Sequence, residues 1–126
     1  MSRLLTSPRL HRAFYDRLAI HFGPDARWQF MNYGLDAERF REHPVALRPE
    51  DEVDRLHIQL YQELLSGLPV ASSKVLEVGS GRGGGIRFIH RYLEPALSVG
   101  LDLSEPAIRL SAAGPCPTGL SFPTDT

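Results

Sequence analysis

A short apolar run that breaks straight into glycines, and then into helical spacing, constrains this chain more than any other feature. Lys74-Val75-Leu76-Glu77-Val78 is short, apolar and β-prone. Gly79-Ser80-Gly81-Arg82-Gly83-Gly84-Gly85 follows at once, and Ile86, Ile89 and Leu93 then recur at helical spacing. A strand passing through glycines into a helix N-terminus aims backbone N–H groups at a nucleotide or an anion. Glycine lets those amides approach a ligand with no Cβ in the way. Gly79, Gly81 and Gly84 fit G-x-G-x-x-G, the dinucleotide fingerprint. The same glycines would also serve a tight packing turn with no ligand.

The flanking sequence places this unit in an alternating fold. Upstream, Ser7-Pro8 starts a helix with Leu10, Phe14, Leu18 and Phe22 on one stripe, stopped by Gly23-Pro24. Residues 25–48 are irregular, with Trp28, Phe30, Met31 and Tyr33 clustered around Asn32 and Gly34. The break at His43-Pro44 follows. A second helix starts near Pro49, with Glu50, Asp51 and Glu52 suited to its N-terminal dipole. Val53, Leu56, Leu60 and Leu64 share one of its faces, and Ser66-Gly67 and Pro69 end it.

Downstream of the glycines, 97–103 reads as a second strand. Ser104 caps a helix carrying Ala107, Ile108 and Leu110, stopped at Gly114-Pro115. Leu120-Ser121-Phe122 opens a third strand. Helices followed by β-α-β-α-β predict an α/β chain with a parallel sheet. The expected division is a helical cap over 1–72 and a Rossmann-like unit over 73–126.

Two carboxylates narrow the ligand. Glu77 stands two residues before the first glycine, where it would repel a pyrophosphate. It suits S-adenosylmethionine, which has no phosphate and carries a sulfonium and an ammonium. Asp102 ends the second strand, where a carboxylate can accept both hydrogen bonds of a ribose diol. Each has a plainer reading, Glu77 as a solvated strand-end charge and Asp102 as a helix cap before Ser104.

Val75-Leu76-Glu77-Val78-Gly79-Ser80-Gly81-Arg82-Gly83 resembles motif I of class I S-adenosylmethionine methyltransferases. Gly100-Leu101-Asp102-Leu103-Ser104 resembles the acidic segment after their second strand. The resemblance implies a cofactor site formed by Glu77, Gly79, Ser80, Gly81, Gly83, Asp102 and Leu103. In it the glycines line the methionine part, Glu77 serves the ammonium and Asp102 holds the ribose hydroxyls.

The glycine run to Gly85, Gly100-Leu101-Asp102-Leu103 and the upstream His57-Ile58-Gln59-Leu60-Tyr61 are similar to the phthiotriolone/phenolphthiotriolone dimycocerosates methyltransferase family. That likeness implies O-methylation of a long-chain lipid. Met31-Asn32-Tyr33-Gly34 is similar to the lid of related small-molecule and lipid methyltransferases.

The family's sheet has seven strands, of which these 126 residues supply two and part of a third. Asp125 stands near where an adenine-binding acid is expected, but out of register by one residue. The fourth strand, which faces the methyl group, has no counterpart, so no catalytic residue is assigned. The expectation is therefore the N-terminal half of the fold, a truncated form, with a second chain as a possible source of the missing strands. Two other readings are a non-catalytic remnant or interaction module and a fragment of a NAD-dependent oxidoreductase. The second is disfavoured by Glu77 and by the seventy or so residues before the first strand.

Composition excludes other classes. A net charge of −1 gives no general attraction to nucleic acid. The single Cys116 allows no internal disulfide and no cysteine metal site, and none of the five histidines pairs at a metal spacing. Arg3, Arg9, Arg12 and Arg17 interrupt any signal-like apolar run, and no stretch reaches the length of a membrane span. The expected location is cytoplasmic. Among single residues, His57 is a candidate base or pocket residue, Tyr33 a candidate lid, and Arg82 a candidate partner for the cofactor carboxylate; ordinary packing or solvation is the alternative for each.

Overall fold

Three parallel strands in the order β1-β2-β3 carry the fold: β1 (Lys74–Val78), β2 (Leu97–Leu101) and β3 (Leu120–Ser121). The computed structural model describes residues 7–23 and 28–124. The expected stop at Pro24 and the residues Arg3 and Asp125 lie outside the described residues. In the register, Lys74 pairs with Leu97, Val78 with Leu101 and Ser98 with Leu120. The crossovers are α4 (Gly84–Tyr92) and α5 (Glu105–Ala113). The α/β class and the parallel sheet are as the alternation predicts, and three parallel strands with crossover helices form part of a Rossmann-like arrangement.

Strand alternation sends Val75, Glu77, Ser98, Gly100 and Leu120 to one face of this sheet. That face holds the core. Ile86, Phe88 and Ile89 of α4 and Ile108 of α5 pack with Leu120 and Phe122, together with Ile58 from the helix before β1. Ile86 is completely buried, and a buried side chain of that size stabilises by roughly 1.5–3 kcal/mol. The opposite face is bare among the described residues: Leu76, Val78, Leu97 and Leu101 are exposed. Parallel sheets are normally covered on both faces.

The helices before the sheet are α1 (Pro8–His21), the short α2 (Glu38–Glu42) and α3 (Arg55–Leu64). Two sequence expectations change here. The helix expected from Pro49 begins as a 3₁₀ segment, Pro49–Asp54, and becomes α-helical only at Arg55. Its Val53, Leu56 and Leu64 are exposed, while Ile58 and Gln59 are buried. The apolar stripe therefore faces outward. The buried side is chosen by Tyr61, which docks on α4, and by Gln59, whose Nε2 donates to Leu35 O at 2.6 Å. In α1, Leu10 and Phe14 of the expected stripe are likewise exposed, and Ala19 is the buried residue. α2 falls in the segment expected to be irregular.

Caps fix the helix starts. The Ser104 side chain accepts the Ala107 N–H of α5, as expected. Ser7 makes no side-chain cap, and its carbonyl instead accepts the N–H groups of Leu10 and His11. α4 begins after Gly83, whose φ of +81° is left-handed, and a Cβ there would lie 2.6 Å from Phe122 Cζ. Gly83→Ala therefore combines backbone strain with overpacking, and is expected to cost about 2–4 kcal/mol. A urea unfolding midpoint equal to that of the parent chain would contradict this packing.

Candidate cofactor site

The site is built where β1 and β2 end side by side. Past Val78 the chain turns through Gly79 and Gly81, at φ +79° and +54°. The N–H groups of Gly79 and Ser80 both donate to Leu101 O, at 2.8 and 2.9 Å. The Gly81 N–H donates to Asp102 Oδ2 at 2.7 Å, and the Ser104 N–H donates to Asp102 Oδ1 at 2.8 Å. One carboxylate thus pins the glycine loop and the entry to α5 together. Charge-assisted bonds of this kind are short and roughly twice as strong as neutral ones. Ser104, not Asp102, is the N-cap of α5; Asp102 holds the residue that caps it, and each of its carboxylate oxygens keeps a further lone pair.

α1 closes over this junction. Ser104 Oγ donates to Asp16 Oδ1 at 2.6 Å. Arg82 ties the loop to the end of α1, donating to Phe22 O at 3.3 Å and to Gly23 O. The space enclosed is about 660 Å³, within the range of small-molecule sites. Gly79, Gly81, Asp102 and Leu103 line it. Tyr15 and Leu18 of α1, with Trp28 and Met31, supply an apolar wall. Nothing lies within 4 Å of the position a Cβ on Gly79 would take, so the backbone is open to a ligand there.

The remaining expected residues sit behind the cavity. Ser80 and Gly83 are buried and do not line it. Nor does Glu77, which points into the covered face of the sheet and accepts the Tyr61 hydroxyl at Oε1, 2.6 Å away. Its Oε2 is buried, with no hydrogen bond of normal geometry among the described residues. Burial raises the Glu77 carboxyl above the usual carboxylate range; Tyr61 and the Ile86 N–H oppose that rise, and the negative charge of Asp102 adds to it. Tyr61 is pushed up too, by burial and then by the bond to Glu77. The Tyr61 ring fits because residue 85 is glycine: a Cβ there would lie 2.1 Å from Cζ.

Other candidates find structural work. Tyr33 is fully exposed and lines neither large cavity, whereas Met31 of the same segment lines the one beside the glycine loop, with Trp28 and α1. His57 stacks on Phe30 and bonds through Nδ1 to Asn32 Oδ1 at 2.9 Å, away from the cavity. Arg82 holds α1 as well as lining the cavity. Cys116 is free and exposed. No cluster of metal-binding type occurs among the described residues, and no helix there is long and apolar enough to cross a membrane. The amphipathic N-terminal helices imply an apolar cap from sequence alone, but not which residues of α1 line the cavity: His11, Tyr15 and Leu18, which share one helical face.

Three parallel strands, with the glycine loop after β1 and the acid after β2, are consistent with part of a Rossmann-like methyltransferase fold. The chain is homologous to mycobacterial lipid methyltransferases over most of its own length. It is 36% identical over 96 residues to the fatty-acid O-methyltransferase of Mycolicibacterium smegmatis, covering 74% of this chain and 33% of the relative. It is 32% identical over 117 residues to the phthiotriol/phenolphthiotriol dimycocerosates methyltransferase of Mycobacterium tuberculosis, covering 93% of this chain and 42% of the relative. The corresponding protein of Mycobacterium leprae is 33% identical over 116 residues, 90% of this chain and 41% of the relative. The chain thus spans between a third and about two fifths of the length of these relatives. No family model and no solved structure matches it.

The raised Glu77 carboxyl has a consequence for stability. Between the ordinary carboxylate range, about pH 4.3, and its higher folded value, the native chain keeps a proton that the unfolded chain has released. The Glu77 contribution to stability is therefore greatest at or below that range, falls as pH rises through the window, and levels off above it. Glu77→Gln is expected to flatten that part of the curve in urea titrations run across the window. An unchanged slope in the variant would contradict the assignment.

Proposed function

We propose that this chain binds S-adenosylmethionine as the methyl-donor part of a methyltransferase that acts on a lipid or other apolar acceptor. The observation that carries the reading is the Asp102 carboxylate, held at the cavity wall by the Gly81 and Ser104 amides. A carboxylate held rigid in this way is prepared to accept the two hydroxyls of a ribose without further ordering. Gly79 and Gly81 would lie along the amino-acid part of the cofactor. Ser80 and Gly83, both buried, would hold the loop's shape beneath them. Leu103, exposed beside Asp102, would lie against the nucleoside.

Glu77 acts from the second layer in this reading. Its buried Oε2 has spare acceptor capacity, and a cation bound at the strand ends would favour its ionised form. Arg12 stands at the same cavity, 3.8 Å from Asp16, and would face an amino-acid carboxylate bound there. When bound, the cofactor supplies an activated methyl group on its sulfonium. The residues of this chain position it and exclude water; an acceptor base has no counterpart among them. Tyr15, Leu18, Trp28 and Met31 form an apolar wall suited to an apolar acceptor, and the relatives' names point to fatty acids and phthiotriols.

The acceptor site and base are proposed to come from the part of the relatives that this chain does not span, joined either in one polypeptide or as a second chain. The open edge of β1 is where such strands would pair, and the exposed face at Leu76 and Leu97 is where a further helix would pack. Isothermal calorimetry of the 126-residue chain with S-adenosylhomocysteine tests the donor half. One-site binding is expected, weakened about tenfold or more by Asp102→Asn, the loss of charge-assisted hydrogen bonds. Binding of NAD without binding of S-adenosylhomocysteine would overturn the reading.

A further inference from the structure

The helix α1 has two working faces. One meets the rest of the chain: Ala19 is buried, Asp16 accepts from Ser104, and His11, Tyr15 and Leu18 line the cavity beside the glycine loop. The other face carries Leu10, Phe14 and Ile20 with Arg9 and Arg17, and none of these lines that cavity. Phe14 is 57% exposed and Ile20 72%, so the described residues leave this apolar surface uncovered.

The charge on that face limits what can cover it. α1 contains Arg9, Arg12 and Arg17, and Asp16 is its one acid. Asp16 stands 3.8 Å from Arg12, on the side of the helix toward Ser104. Arg9 and Arg17 are exposed and pair with no carboxylate among the described residues. Arg17 stands one helical turn from both Phe14 and Ile20, inside the apolar surface and not beside it. Packing this face into a protein interior would take the Arg17 guanidinium out of water, with the one acid of its helix already engaged. The bare sheet face is different in kind: Leu76, Val78, Leu97 and Leu101 meet there without a charge between them, as suits cover by a further layer of the fold.

We propose that α1 docks on an anionic lipid bilayer, with Leu10, Phe14 and Ile20 entering the boundary between headgroups and chains and Arg9 and Arg17 reaching the lipid phosphates. A bilayer surface accepts both parts of the face at once. The apolar side chains lose contact with water, and the long arginine stems let the guanidinium groups extend into the headgroup layer. The net charge of −1 does not oppose this, because attraction to a charged surface acts within about one Debye length and is set by the groups nearest to it. Docking would bring the cavity lined by the other face of α1 to the surface from which an apolar acceptor enters. That use rests on the proposed function; the docking itself does not.

The test is co-sedimentation of the 126-residue chain with phosphatidylcholine vesicles and with vesicles of phosphatidylcholine and phosphatidylglycerol. Sedimentation with the anionic vesicles is expected, falling as salt is raised. Replacing Arg9→Gln together with Arg17→Gln is expected to weaken it, about fivefold for each arginine removed. Replacing Phe14→Ser together with Ile20→Ser is expected to weaken it by about tenfold or more. Each pair is expected to keep the circular dichroism and urea midpoint of the parent chain; should the serine pair unfold, the glutamine pair decides. No sedimentation with anionic vesicles, or sedimentation unchanged by the glutamine pair, would overturn the proposal. Self-association abolished by the serine pair, with no vesicle binding, would overturn it in favour of a second copy of the chain on this face. None of these outcomes alters the calorimetric test of cofactor binding.

Discussion

The structure depends on one carboxylate shared between two strand ends. Asp102 accepts from Gly81 on one side and from Ser104 on the other. Without it, the amide of a left-handed glycine would have no partner, and the turn into α5 would lose its anchor. The effect reaches outward through Ser104, whose hydroxyl donates to Asp16 and so seats α1 over the loop. Loop shape, helix start and cavity roof are therefore coupled through bonds of 2.6–2.8 Å.

Glu77 and Tyr61 form the matching element beneath the loop. The pair lies in the covered face of the sheet, next to α4, and its geometry depends on Gly85 having no side chain. The run from Gly79 to Gly85 thus answers several demands. Gly79, Gly81 and Gly83 take left-handed turns, while Gly85 makes room for a ring brought from α3. This division explains a glycine density that a tight turn alone would not require.

Much of this was legible in the sequence because it is local. The strand, the glycines, the helix after them and the acid ending the next strand fall within 74–104, and their order alone specifies a parallel crossover. The buried faces of α1 and α3 were not legible. Leu10, Phe14, Val53, Leu56 and Leu64 mark an apolar stripe, but the folded chain buries Ala19, Ile58 and Gln59 instead. Periodicity finds an apolar face and does not say whether a partner surface is present to cover it. The Tyr61–Glu77 bond joins residues sixteen apart in different elements, and the closure of α1 over the cavity joins residues farther apart still. The first leaves no local pattern; the second leaves only an amphipathic helix, which does not say what it covers. The bare sheet face at Leu76 and Val78 belongs with these outward stripes, since all of them are apolar surfaces without cover among the described residues.

A crystal structure of the 126-residue chain with S-adenosylhomocysteine tests the central claim most directly. The expected complex has both ribose hydroxyls on the Asp102 carboxylate, the amino-acid part along Gly79 and Gly81, and the ammonium on the Glu77 side. A ligand seated outside the cavity beneath α1, or one whose ribose faces away from Asp102, would contradict the account.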